Sequence, residues 1–167
     1  NKITKTCLSA LLVLMGVSLL ANSVSAESIN IDFDEPESFS DFEYEGFYSS
    51  AFLERFENAV HNSLVSEAAQ HLPKGGQLEI IFQDIDLAGE YEPWRVRMQD
   101  TRIMREIYPP RLKFEYRVRD ANGNIVAQGN AQITDLVYLW NIPRSRWDSE
   151  SFYHEKRMME NWASDNL

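Results

Sequence analysis

Cysteine is all but missing from these 167 residues: the single one is Cys7, inside the N-terminal stretch. With that stretch set aside, a disulfide framework, a thiolate zinc site and a cysteine nucleophile are all excluded. Histidine is nearly as scarce, with three in all. His61 and His71 stand about 80° apart around a helix, which suits surface or boundary positions rather than a metal pair. Basic residues are short over one long span: Glu27 to Trp94 holds 16 acidic and two basic residues, a net of −14. The whole chain carries −10, a field that disfavours nucleic acid as a partner. Also missing are the G-x-S-x-G elbow, H-E-x-x-H and a phosphate-cradling glycine loop. Nothing in the residues calls for a cofactor.

The first 26 residues have the pattern of a secretory signal. Lys2 and Lys5 precede an apolar run from Leu8 to Leu20, and Val24-Ser25-Ala26 offers a small-residue cleavage site. That run is short for a bilayer span, which needs roughly 20 apolar residues. Cys7 begins the run and does not follow it, so it is misplaced for a lipid attached at the cleavage point. The expectation is an exported protein, soluble after cleavage at Ala26 and without a permanent membrane anchor. What remains, Glu27 to Leu167, is long enough for one domain. Its nine Phe, seven Tyr and four Trp can supply the core that disulfides do not.

The charge reverses along the chain. Arg95 to Arg119 holds eight basic residues against three acidic, a net of +5. The simplest consequence is that the two segments face each other and pair internally. A basic strip kept free for an anionic ligand is the sharper alternative.

Periodicity assigns the elements. Ile29, Ile31 and Phe33 alternate with polar residues as in a half-buried strand. An acidic, aromatic loop follows, with Phe39 and Phe42 expected to tuck inward. Phe52, Phe56, Val60, Leu64, Ala68 and Leu72 then mark one face of a helix, capped by Ser49 or Ser50 and stopped at Pro73. Leu78, Ile80 and Phe82 start a second strand. In "LKFEYRVRDANGNIVAQGNAQIT", Asn122-Gly123 reads as a two-residue hairpin turn with positive φ. Closing there pairs Val118 with Ala127, Tyr116 with Gly129, Phe114 with Ala131 and Leu112 with Ile133. Lys113, Glu115, Arg117, Gln128, Asn130 and Gln132 take the wet face. A last helix, capped near Asp148 or Ser149, carries Phe152, Met159 and Trp162 on its seam, with Met158 and Ala163 beside it. The expected fold is α+β: about four mostly antiparallel strands in one layer, with two amphipathic helices on one face.

The chemically unusual stretch is "DIDLAGEYEPW", with Asp84, Asp86, Glu90 and Glu92. Apolar parity changes there, so a regular strand would point Asp84 and Asp86 inward; either the strand ends near Gln83 or a bulge re-aims it. A twelve-residue calcium hand fails at Ala88 and at Arg95, where ligands are required. A looser divalent-ion site stays open, as does a carboxylate pair acting on a glycoside. The structural reading is a turn shaped by Gly89, Pro93 and Trp94. Asp84 and Asp86 would then meet Arg95, Arg97, Arg102, Arg105 or Arg111.

"LPKGGQLEIIFQDIDLAGEYEPW", "RIMREIYPPRLKFEYRVRDANGNIVAQG", "ITDLVYL" and "YHEKRMMENW" resemble the exported bacterial family called domain of unknown function 3016. "FDEPESFSD" is similar to that family's opening strand and loop. The resemblance implies a single-domain periplasmic protein, and it brings no activity, ligand or catalytic residue with it. Two functional readings follow. One is a non-enzymatic envelope protein that binds a partner, such as another envelope protein. The other is a divalent-cation or carbohydrate-acting protein using Asp84, Asp86, Glu90 and Glu92, with Arg95 and Arg111 as further ligand-binding candidates.

Overall fold

The computed structural model describes residues 28–41, 43–44, 47–48, 50–95, 101–140 and 151–167. The signal pattern, Phe42, Ser49, Arg97, Asp148 and Ser149 lie outside them. One four-stranded sheet runs in the order β1 (Ile29–Phe33), β4 (Gln77–Asp86), β7 (Arg111–Arg119), β8 (Ile125–Thr134). Helix α1 (Ser50–His71) joins β1 to β4, and α2 (Tyr153–Asn166) ends the chain. Two short pairs complete the α+β fold: β2 (Glu43–Tyr44) with β3 (Phe47–Tyr48), and β5 (Glu90–Tyr91) with β6 (Arg102–Ile103). The sheet is mixed. β1 lies parallel to β4 because a helical crossover separates them, while β4, β7 and β8 are antiparallel.

Apolar alternation decides the faces. Ile29, Ile31, Leu78, Ile80, Phe82, Leu112, Phe114 and Val118 are buried beneath the helices. From α1, Leu53, Phe56, Val60, Leu64 and Ala68 answer them. Phe56 meets Phe82 edge-on at 5.5 Å, and Trp162 of α2 meets Phe114 and Tyr116 at 4.9 Å each. Gly129 faces Tyr116: a Cβ there would come within 3.1 Å of the ring, so any larger residue needs the Tyr116 ring to shift by a few tenths of an ångström.

Two boundaries differ from expectation. The hairpin has a three-residue loop, with Gly123 alone at positive φ (82°) and its N–H donating to the Asp120 carbonyl at 3.0 Å. That loop shifts the register by one, since Arg119 pairs with Ile125. A bulge at Val126 shifts it back, which is why the four expected pairs from Val118–Ala127 to Leu112–Ile133 still hold. The second boundary is the start of α2 at Tyr153. Phe152 precedes it in a left-handed conformation (φ 60°), strained for a bulky residue. Its ring sits edge-on to Phe52 and Phe56, each at 5.2 Å, and this packing offsets the strain.

The parity change in β4 is a bulge at Gln83, between the pairs Phe82–Phe114 and Asp84–Lys113. The extra residue returns Ile85 to the core, fully buried, and keeps Asp84 and Asp86 off the inward face. Deleting Gln83 therefore preserves the facing of every later residue. The expected cost is about 1 kcal/mol, the scale of its hydrogen bond to Glu115. Inserting an alanine after Gln83 also restores regular alternation, but it slides Ile85 two positions along β7, off Leu112, so that variant should lose far more stability. Thermal unfolding of the two variants tests this; equal damage would mean that the register against β7 does not matter beyond the bulge.

Candidate functional site

At the end of the sheet where Asp86, Arg111 and Thr134 lie side by side, three connections gather: the segments after β4, before β7 and after β8. Gly89 makes the first sharp. It sits at φ 80° with its N–H on the Tyr108 carbonyl at 3.0 Å, and a Cβ would come within 2.9 Å of the Ile103 carbonyl. Only glycine fits both the dihedral and the approach.

Arginines do hold this turn, but on other carboxylates than Asp84 and Asp86. Arg102 forms an ion pair with Asp41 through both terminal nitrogens. Its guanidinium also donates to three successive carbonyls, Leu87 at 2.9 Å, Ala88 at 2.7 Å and Gly89 at 2.7 Å. Asp41 in turn accepts the Leu87 N–H. Glu92, with no exposed surface, receives Arg95, Arg105 at 3.0 Å and the Tyr108 hydroxyl at 3.3 Å. Asp84 instead accepts from Ser40, at its N–H (2.9 Å) and hydroxyl (3.1 Å). Asp86 stands across from Arg111 in the sheet. Burial first, then the nearby Asp41 charge, raises its pKa, against the lowering field of Arg111. Glu90 accepts the N–H of Tyr91 at 2.8 Å. The four carboxylates of the motif thus point to separate partners. Among the described residues no group of three or more His, Cys, Asp or Glu is arranged to hold a metal ion.

The charge reversal is resolved by the same contacts. Arg95, Arg102, Arg105 and Arg117 each pair with an acidic residue of the first segment: Glu92, Asp41, Glu92 and Glu79.

Two buried groups at this end were not singled out from the sequence. Tyr138, fully buried, donates its hydroxyl to the Arg105 carbonyl at 2.7 Å. Glu155 of α2 is 3% exposed and accepts the Ala88 N–H at 2.8 Å, tying the helix to the turn. Periodicity could have found it, because Glu155, Met158, Met159 and Trp162 share one helical face. Burial raises the Glu155 pKa. A raised folded-state pKa gives a contribution present below the unfolded value of about 4.5 and lost as pH rises through the folded value. Glutamine keeps the acceptor oxygen and removes the charge. Glu155→Gln should therefore unfold a few degrees higher than the parent at about pH 8, with the gap closing near pH 4. A gap independent of pH would show that the buried charge is not its source. His154 acts oppositely: burial lowers its pKa, so its contribution is present above about pH 6.5 and is lost on acidification.

Around this braced base, large apolar side chains stand in solvent. Trp94 is 69% exposed, Ile107 69%, Leu136 72% and Trp140 82%, with Met104 and Val137 also exposed. They belong to the three connections that the Glu92, Tyr108 and Tyr138 hydrogen bonds tie together. Scattered single apolar residues are ordinary on a surface; a group on one set of joined loops is not. A family model described as "Protein of unknown function (DUF3016)" matches residues 27–165. No curated protein and no solved structure matches the chain.

Proposed function

The chain belongs to the DUF3016 family, and on that footing we propose that it is a non-catalytic binding module of the cell envelope. Its contact surface is the loop end of the sheet. The observation that carries this reading is the exposed set Trp94, Met104, Ile107, Leu136, Val137 and Trp140, mounted on loops clamped by Arg102 and Glu92. Rigid aromatic and aliphatic groups on a braced base have little entropy left to lose on docking. The partner is another envelope protein that presents an apolar surface, since tryptophan anchors favour such pockets. The carboxylates of "DIDLAGEYEPW" serve to shape that base.

Export to the periplasm rests on the signal pattern before Ala26, and the family match begins at the next residue. Among the described residues, no helix is long and apolar enough to cross a membrane.

A photo-crosslinking residue placed at Leu136 in intact cells tests the proposal, with one at Glu57 on the exposed side of α1 as control. A discrete adduct from Leu136 alone, abolished by Trp140→Asp, is the expected result. Labelling that is equal at both positions, or absent from Leu136, would overturn it.

A further inference from the structure

We propose that the outer edge of β8 is a self-association site, at which a second copy of this chain adds its own β8 antiparallel to form a two-fold dimer. The sheet has two edges, and they are built differently. β1 is five residues long, carries Asp32 and is followed by the acidic loop. β8 runs for ten residues, "IVAQGNAQIT", without a charge or a proline. Long edges left unprotected by charge or proline are templates for another strand. Among the described residues, no strand pairs with β8 on its outer side.

The inner face of β8 is also incompletely covered. Ala127, Ala131 and Ile133 are only partly buried, whereas Leu112, Phe114 and Val118 on the neighbouring β7 are buried. At the start of β8, Ile125 and Val126 are 46% and 54% exposed. In a dimer the adjoining strand of the second sheet lies beside them and extends the partly covered face.

Charge confines any docking of a second copy to this edge. Two chains of net −10 repel over most approaches, and β8 offers a ten-residue edge where neither brings a charge. The strand is self-complementary as well. Antiparallel pairing centred on Gly129 or Asn130 keeps like faces together, so Gln128, Asn130 and Gln132 meet amides while Ala127, Ala131 and Ile133 meet apolar side chains. Such an interface is isologous and closes after two copies.

Sedimentation of the full chain over a range of concentrations, repeated for Asn130→Lys and Asn130→Glu, tests the site. Asn130 is exposed on the polar face, directly across from Glu115 of β7, so Asn130→Lys should keep the parent's unfolding midpoint and Asn130→Glu should lower it only slightly, by the facing carboxylate. The parent should form dimers. Each variant should dissociate at least about tenfold more readily, because like charges then oppose across the two-fold axis. An equimolar mixture of the two variants should recover dimer. A parent that stays monomeric at every concentration overturns the proposal, as does a dimer indifferent to both charges. Trp140→Asp leaves this dimer intact; if it alone dissolves the dimer, the loop end is the self-association surface instead.

Discussion

Arg102→Ala should lower the unfolding free energy by about 3–5 kcal/mol, the range seen when one partner of a buried ion pair is removed. Arg102 and Asp41 are 17% and 9% exposed at their side chains. Alanine would strand that carboxylate and, with it, the carbonyls of Leu87, Ala88 and Gly89, all three residues buried. Against a typical total of about 5–15 kcal/mol, the loss is a large fraction of stability. Lysine should recover less than half, since one ammonium cannot reproduce a fork that meets a carboxylate and three carbonyls at once. Denaturant unfolding gives the number, and hydrogen exchange at the Leu87 amide, which Asp41 accepts, gives its location. A loss below about 1 kcal/mol would mean that water replaces the guanidinium and that the turn is held elsewhere.

Glu92→Ala is expected to cost about 2–4 kcal/mol, somewhat less than Arg102→Ala. Glu92 itself is fully buried, but Arg95 and Arg105 are 42% and 40% exposed and can return to solvent when it is gone. For a domain of this size that is a fall in the midpoint of roughly 3–5 °C per kcal/mol. The loops bearing Trp94, Met104 and Ile107 lose their common tie, so trypsin should cut first at Arg95 or Arg105 in the variant. Glu92→Gln, which retains an acceptor, should fall between. An unchanged digestion pattern would show that the apolar loops do not depend on this carboxylate.

Glu92 illustrates how the candidate site was legible only in outline. The density of carboxylates in "DIDLAGEYEPW" marks a place where charge must be satisfied, and the basic run after Arg95 supplies the partners. Which carboxylate takes which arginine is not written locally. Asp84 and Asp86, the pair that parity made suspicious, are relieved by the Gln83 bulge, and Asp84 is met by Ser40. Asp41, the partner that matters to Arg102, lies 61 residues away in a loop without periodic pattern. Phe152 shows the same limit at a helix end: its ring contacts with α1, not a capping side chain, decide where α2 begins.

By itself the sequence determined the α+β class, the two helices, the buried face of β1, of β7, of β8 and of β4 as far as Phe82, and the pairing of β7 with β8. Each follows from side-chain repeats of about two or 3.6 residues, or from a turn that joins neighbours, so the information is local. Tertiary structure alone decided that β1 runs parallel to β4, that Asp41 and Glu92 receive the arginines, and that Glu155 is buried against Ala88. Apart from Glu92 with Arg95, three positions on, those contacts join residues from 13 to 67 positions apart. They depend on where packed layers bring side chains together in space, and a one-dimensional repeat carries no record of that.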